Sequence, residues 1–158
     1  MKQSGSLFKT LMRRLHGPIY QRRMEVLSMA ILEQLQPGEL VLDVGCGGGA
    51  LGRAIIDSPL CPKGVRVVGL ENHKRGGEAI EVTEYDGKTI PFADKVVDVV
   101  ILADVLHHEP TPERLLSESI RVSRRAVFIK DHKVEGLLAQ SRISFLDWAA
   151  NTGYGVKC

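Results

Sequence analysis

Val41-Leu42-Asp43-Val44 is a short apolar run that breaks directly into Gly45-Cys46-Gly47-Gly48-Gly49. A strand buried on both faces reads as such a run. The alternating glycines behind it allow a tight turn and let a ligand lie against bare backbone. Leu51, Ala54 and Ile55 then fit a short helix. Further along, Val65 to Leu70 predicts a second strand ending at Glu71, Ile80 to Tyr85 a third, and the β-branched stretch Val96 to Ala103 a fourth. Thr111-Pro112 reads as a helix N-cap with proline at the first helical position. Leu115, Leu116 and Ile120 supply that helix's buried stripe, and Ala126 to Lys130 predicts a fifth strand. Between the second and third strands lies only Asn72 to Ala79, where Gly76-Gly77 argue against a helix.

Strands alternating with helices imply a parallel sheet covered on both faces. Right-handed crossovers make it doubly wound and Rossmann-like, with strand order 3-2-1-4-5 and the ligand at the switch point beside the end of the first strand. Ahead of the sheet, Leu7, Phe8, Leu11, Met12 and Leu15 form one helical apolar face, and Gly17-Pro18 breaks it. Met24, Leu27, Ile31 and Leu35 form a second, ended by Pro37-Gly38. Residues 1–36 are therefore expected to be a helical lid or docking segment, and residues 37–158 the ligand-binding domain, within one domain overall. Lys2, Lys9, Arg13, Arg14, Arg22 and Arg23 face no acidic residue in this first stretch. They form either a solvated basic face on a docked helix or a lid over a ligand.

The chain has 158 residues, 44% hydrophobic and 25% charged, with 21 basic against 19 acidic side chains. That suffices for one core, and a net charge of +2 implies no general affinity for polyanions. Cys46, Cys61 and Cys158 are too scattered for a disulfide framework. The early basic residues interrupt any signal-peptide core, and Asp98 and Asp104 cut the longest apolar stretch, so the expectation is a cytoplasmic protein without membrane insertion.

Electrostatics separates two ligand classes. Gly47-Gly48-Gly49-Ala50-Leu51-Gly52 also satisfies the dinucleotide pattern G-x-G-x-x-G. Asp43, however, stands at the mouth of the loop, where a carboxylate repels a pyrophosphate and suits a cationic ligand free of phosphate. S-adenosylmethionine, with its sulfonium and α-ammonium, is such a ligand. Glu71 can accept both hydroxyls of a ribose, and Asp86 can accept from an adenine amino group. The ordered set Asp43-Val44-Gly45-Cys46-Gly47-Gly48-Gly49, Glu71, Asp86-Gly87 with Ile90-Pro91-Phe92, Val97-Asp98-Val99-Val100 and Leu106-His107-His108 resembles the class I S-adenosylmethionine-dependent methyltransferases, in particular the small-molecule enzymes called methyltransferase type 11.

The resemblance spans Leu40 to Lys130. It implies that Gly45, Cys46, Gly47 and Gly49 cradle the methionine moiety, that Glu71 and Asn72 hold the ribose, and that Asp86 and Gly87 meet the adenine. Ala103 and Asp104 would line the pocket near the sulfonium. It also implies a sixth and a seventh strand, which this chain is expected to lack. The one further helix expected is Val134 to Trp148. The fifth strand would then have an open edge, and this predicts a two-fold dimer joined there. Asp104, His107 and His108 are the candidate catalytic bases, with His132 a further one, and Asp131-His132 reads equally as an orienting pair or a helix cap. No metal is expected, since adjacent histidines should point apart and no third ligand stands at metal spacing. Leu102-Ala103-Asp104-Val105 replaces the Asn-Pro-Pro-Tyr motif of many nitrogen-methylating enzymes. This favours an oxygen, carbon or sulfur centre on a small-molecule acceptor and argues against nucleic acid. A cofactor-binding but inactive module, an RNA methyltransferase and an NAD-dependent oxidoreductase are the alternatives.

Overall fold

The computed structural model describes residues 21–131. The expected helix over Leu7–Leu15, the basic lid up to Tyr20, His132 and the helix Val134–Trp148 lie outside the described residues. Residues 21–32 are helical (α1). There follow β1 (Leu40–Val44), α2 (Ala50–Asp57), β2 (Arg66–Glu71), β3 (Glu81–Glu84), β4 (Val97–Ala103), a single 3-10 turn (Leu106–His108), α3 (Pro112–Val122) and β5 (Ser123–Lys130).

The strands form one parallel sheet in the order β3-β2-β1-β4-β5, as the sequence predicts. Val41, Val67, Val99 and Ile101 bury one face of it against Ile31, Leu32 and Leu35 and against Leu51 and Ile55 of α2. Leu42, Val44, Leu70, Val100 and Leu102 bury the other against Leu115 and Val122 of α3, with Ile90. Alternation along each strand sends neighbouring side chains to opposite faces, so both faces need apolar partners. Met24, Leu27, Ile31, Leu32 and Leu35 belong to the first of these cores, so the second predicted helix packs as part of the domain that follows it.

The connection from β2 to β3 contains no helix, in line with Gly76 (φ 81°) and Gly77 (φ 77°). Glu78 holds it instead, accepting the N–H groups of Arg75 (2.7 Å) and Gly76 (2.8 Å). Ala79 N–H donates to the Gly48 carbonyl (2.9 Å), which draws this loop onto the glycine turn. At α3, Arg121 donates to the carbonyls of Ile90 (3.0 Å) and Phe92 (2.9 Å), and Glu118 accepts from Ile90 N–H (3.0 Å). Ile90-Pro91-Phe92 is thus tied down along its backbone.

β5 begins at Ser123, three residues earlier than the apolar pattern predicts, and it follows α3 with no loop. Arg124 and Arg125 read as flanking charges but are strand residues whose long side chains reach acidic partners. Arg124 bonds Asp98 at 2.6 Å. Arg125 makes two bonds to the buried Glu39, at 2.6 and 2.9 Å, and one to the Gln34 carbonyl at 2.9 Å. Glu39 also accepts Gln36 N–H at 2.8 Å. Glu39→Ala strands that N–H and removes the guanidinium's charged partner. It should cost about 2–3 kcal/mol, below the loss for a fully buried pair because Arg125 is one-third exposed. Urea unfolding measures this directly, and an unchanged midpoint would contradict it.

Candidate cofactor and acceptor site

The carboxyl ends of β1, β2, β3 and β4 meet at one place because their loops interlock. Gly45 follows β1 at φ 68°, and a Cβ there would fall 2.3 Å from Val105 Cγ2. Only glycine lets the turn after β1 approach the segment after β4 so closely. Behind it, Gly69 in β2 leaves room for Cys46, whose Sγ would lie 2.4 Å from an added Cβ. Burial, with help from the nearby carboxylates Asp43 and Glu71, pushes the Cys46 thiol up to about 12. At neutral pH it is a packed, protonated side chain, not a nucleophile.

The turn is open on its outer side. Among the described residues no atom lies within 4 Å of where a Cβ would stand on Gly47 or Gly48. Glu71 closes one flank, its Oε2 accepting Gly47 N–H at 2.7 Å and its Oε1 accepting Asn72 N–H at 3.0 Å. Both oxygens are thereby fixed in place, and each keeps lone-pair capacity for another donor.

Asp43 lies beneath the turn, 2% exposed, in register with Gly69 of β2 and Ile101 of β4. Its Oδ2 is buried and has no hydrogen-bond partner among the described residues. Burial, and secondarily the charge on Glu71, pushes this carboxyl up to about 7. An anion of this kind is poised to receive a cation and is costly without one.

A cavity of about 380 Å³ lies on the Asn72 side of Glu71, lined in part by Asn72, Asp86, Gly87, His108, Thr111 and Arg114. The Asn72 side chain sits against Gly87, 3.0 Å from where a Cβ would stand. Asp86 is exposed, and its Oδ1 accepts the N–H groups of Lys88 (2.8 Å) and Thr89 (2.9 Å). These bonds, that of Thr89 foremost, hold its carboxyl below the usual range, so it is ionised at neutral pH.

Ala103 ends β4, and Asp104 follows at φ 57°, an uncommon conformation for a residue with a side chain. Its N–H donates to the Lys130 carbonyl (2.7 Å) and its carboxylate pairs with the Lys130 ammonium. His107 and His108 do not point apart as adjacent residues in a strand would. The 3-10 turn brings their ring centroids to 3.9 Å, with the planes tilted by 43°. His107 pairs with Asp131 across 24 residues of sequence, at 2.5 Å. His108 lines the cavity. The sequence sets Asp131 beside His132, which lies outside the described residues, and the fold adds His107 as a partner of Asp131. Only its place at the strand ends, one residue beyond β5, hinted at a role beside β4. Among the described residues no group of three or more His, Cys, Asp or Glu side chains is placed to hold a metal ion, and no helix is long and apolar enough to cross a membrane.

The sequence profile described as MetW, methionine biosynthesis protein MetW, matches residues 26–130, which include every strand and the whole glycine turn. The chain belongs to the MetW family. Curated relatives of this MetW-family chain include an uncharacterized methyltransferase of Mycobacterium leprae, 33% identical over 96 residues, or 55% of this chain and 34% of the relative. Another, from Mycobacterium sp. (strain KMS), is 36% identical over 105 residues, or 62% of this chain and 40% of the relative. The chain thus spans well under half the length of these two relatives. Among solved structures, a SAM dependent methyltransferase from Aquifex aeolicus superposes with a TM-score of 0.56 at 20% identity, covering 90% of this chain and 87% of that one. The fold is the class I methyltransferase fold.

Proposed function

We propose that the chain binds S-adenosylmethionine at the ends of β1 to β4 and directs methyl transfer to an oxygen, carbon or sulfur centre of a small-molecule acceptor. The observation that carries this reading is Asp43, an enclosed carboxylate with one oxygen that has no partner among the described residues, beneath an open glycine turn. In this reading Asp43 faces the cationic end of the ligand, and Gly45, Cys46, Gly47 and Gly49 supply the surface on which the methionine moiety lies. Glu71, already locked by Gly47 and Asn72, takes the ribose hydroxyls. Asp86 and Gly87 take the adenine edge, and Ala103 and Asp104 border the sulfonium. When bound, the cofactor supplies an electrophilic methyl group on a positively charged sulfur. The chain's contribution is to position the reacting groups and exclude water. Where the acceptor must lose a proton, Asp104, His107 and His108 are the candidate bases, of which His108 lines the cavity.

The second reading is a module that binds the cofactor but turns over no acceptor. Two measurements divide the readings. S-adenosylhomocysteine at a hundred times its dissociation constant should stabilise the protein by ~2.7 kcal/mol against heat, and NAD should not. Protection by NAD instead would overturn the cofactor assignment. Turnover of an acceptor panel then separates an enzyme from an idle binder. A two-fold dimer through β5 belongs to the same proposal and is tested by sedimentation over a range of concentrations.

A further inference from the structure

His107 sits in the 3-10 turn after β4, and Asp131 directly follows β5. Their side chains are 11% and 15% exposed. One carboxylate oxygen of Asp131 stands 2.5 Å from His107 Nδ1, and the other accepts the backbone N–H of the same residue at 3.2 Å. Both carboxylate oxygens are thus engaged by one histidine, through its ring and its backbone. An ionised carboxylate only accepts, so the proton of this pair belongs on Nδ1 and the lone pair on Nε2. The His107 ring then meets the His108 ring at 3.9 Å, and His108 lines the cavity.

We infer that Asp131 is a positioning residue, which fixes the tautomer and the plane of His107 and through it the place of His108 in the cavity wall. The inference deepens the methyl-transfer reading and rests on it for what His108 contacts, but the tautomer of His107 does not depend on any ligand. Neutral replacement makes the claim sharp. Asparagine at position 131 would face two donors, Nδ1–H and the backbone N–H, with only one oxygen. If the oxygen stays on the backbone N–H, the amide NH₂ opposes Nδ1, and the ring must move its proton to Nε2.

The test is nitrogen NMR of ¹⁵N-histidine-labelled protein at mildly alkaline pH, where unperturbed imidazoles are neutral. The expected result is Nδ1–H at His107 in the wild type and Nε2–H in Asp131→Asn, with the ring-nitrogen shifts exchanged. Nε2–H in the wild type would overturn the role of Asp131. The wild-type spectrum decides even if the variant does not fold. Addition of S-adenosylhomocysteine should move the ring resonances of His108. Binding without any such change would overturn the placement of His108 on the ligand. A complete lack of binding counts against the methyl-transfer reading, while the tautomer still decides Asp131.

Discussion

Glu71→Ala is expected to weaken S-adenosylhomocysteine binding on the order of a hundredfold, ~2.7 kcal/mol. Two losses combine. The proposed ribose partner disappears, and the N–H groups of Gly47 and Asn72 lose the acceptor that now fixes them. Lost hydrogen bonds to a charged group cost about 1.5–3 kcal/mol each, and release of the glycine turn adds a further ordering cost on binding. Glu71→Gln keeps one good acceptor and should fall between the two. Calorimetric affinity, with circular dichroism to confirm an intact fold, is the measurement. An affinity within about threefold of the wild type would remove Glu71 from the site.

Asp43→Asn should produce opposite effects on stability and on binding. The carboxyl stands near 7 in the folded chain, against an ordinary value of 3.8. A raised folded value means that Asp43's contribution to stability is fully present below pH 3.8 and is lost as pH rises through about 7. Above that pH the ligand-free wild type carries a buried charge whose cost, from the size of the shift, is on the order of 4 kcal/mol. Asparagine cannot ionise, so the variant should lose much less stability between pH 4 and 8 than the wild type, as followed by urea unfolding at ~1 unit steps. A cationic ligand, by contrast, needs the ionised form. Wild-type affinity should fall by up to about tenfold per pH unit below 7, with a proton released for each ligand bound, whereas the variant should bind more than tenfold more weakly with a flat profile. The same affinity at about pH 5.5 and 8 in the wild type would show that Asp43 does not meet the ligand's charge.

These two side chains mark what was legible in the residue pattern. β1, β2 and β4 appear as short apolar runs, because a strand covered on both faces has no polar side to show, whereas edge strand β3 buries only Val82. Connection handedness narrows the possible strand orders, and Glu71 and Asp86 fall at strand ends that the order β3-β2-β1-β4-β5 brings together. Patterns fail where contacts join residues distant in sequence. The start of β5 is hidden because Arg124 and Arg125 read as charges flanking the apolar run, and only Asp98 and Glu39, which answer their charges, make them strand residues. Gly69 reads as a weak point in a strand until Cys46 is seen to occupy the space its missing side chain leaves.

The order of apolar runs, glycines and end-of-strand acids was enough to define the sheet, its switch point and the residue types around it, since these depend on periodicity and chain direction. The electrostatic state of Asp43, the lock of Glu71 onto Gly47, the contact of the two histidine rings and the pairing of His107 with Asp131 depended on folding. Burial, hydrogen-bond distance and ring contact are properties of positions in space, and the residues concerned lie 24 or more positions apart in two of these cases, between Gly47 and Glu71 and between His107 and Asp131. The adjacency of Asp131 and His132 in sequence gives no sign of His107, which reaches Asp131 from beyond the end of the neighbouring strand β4.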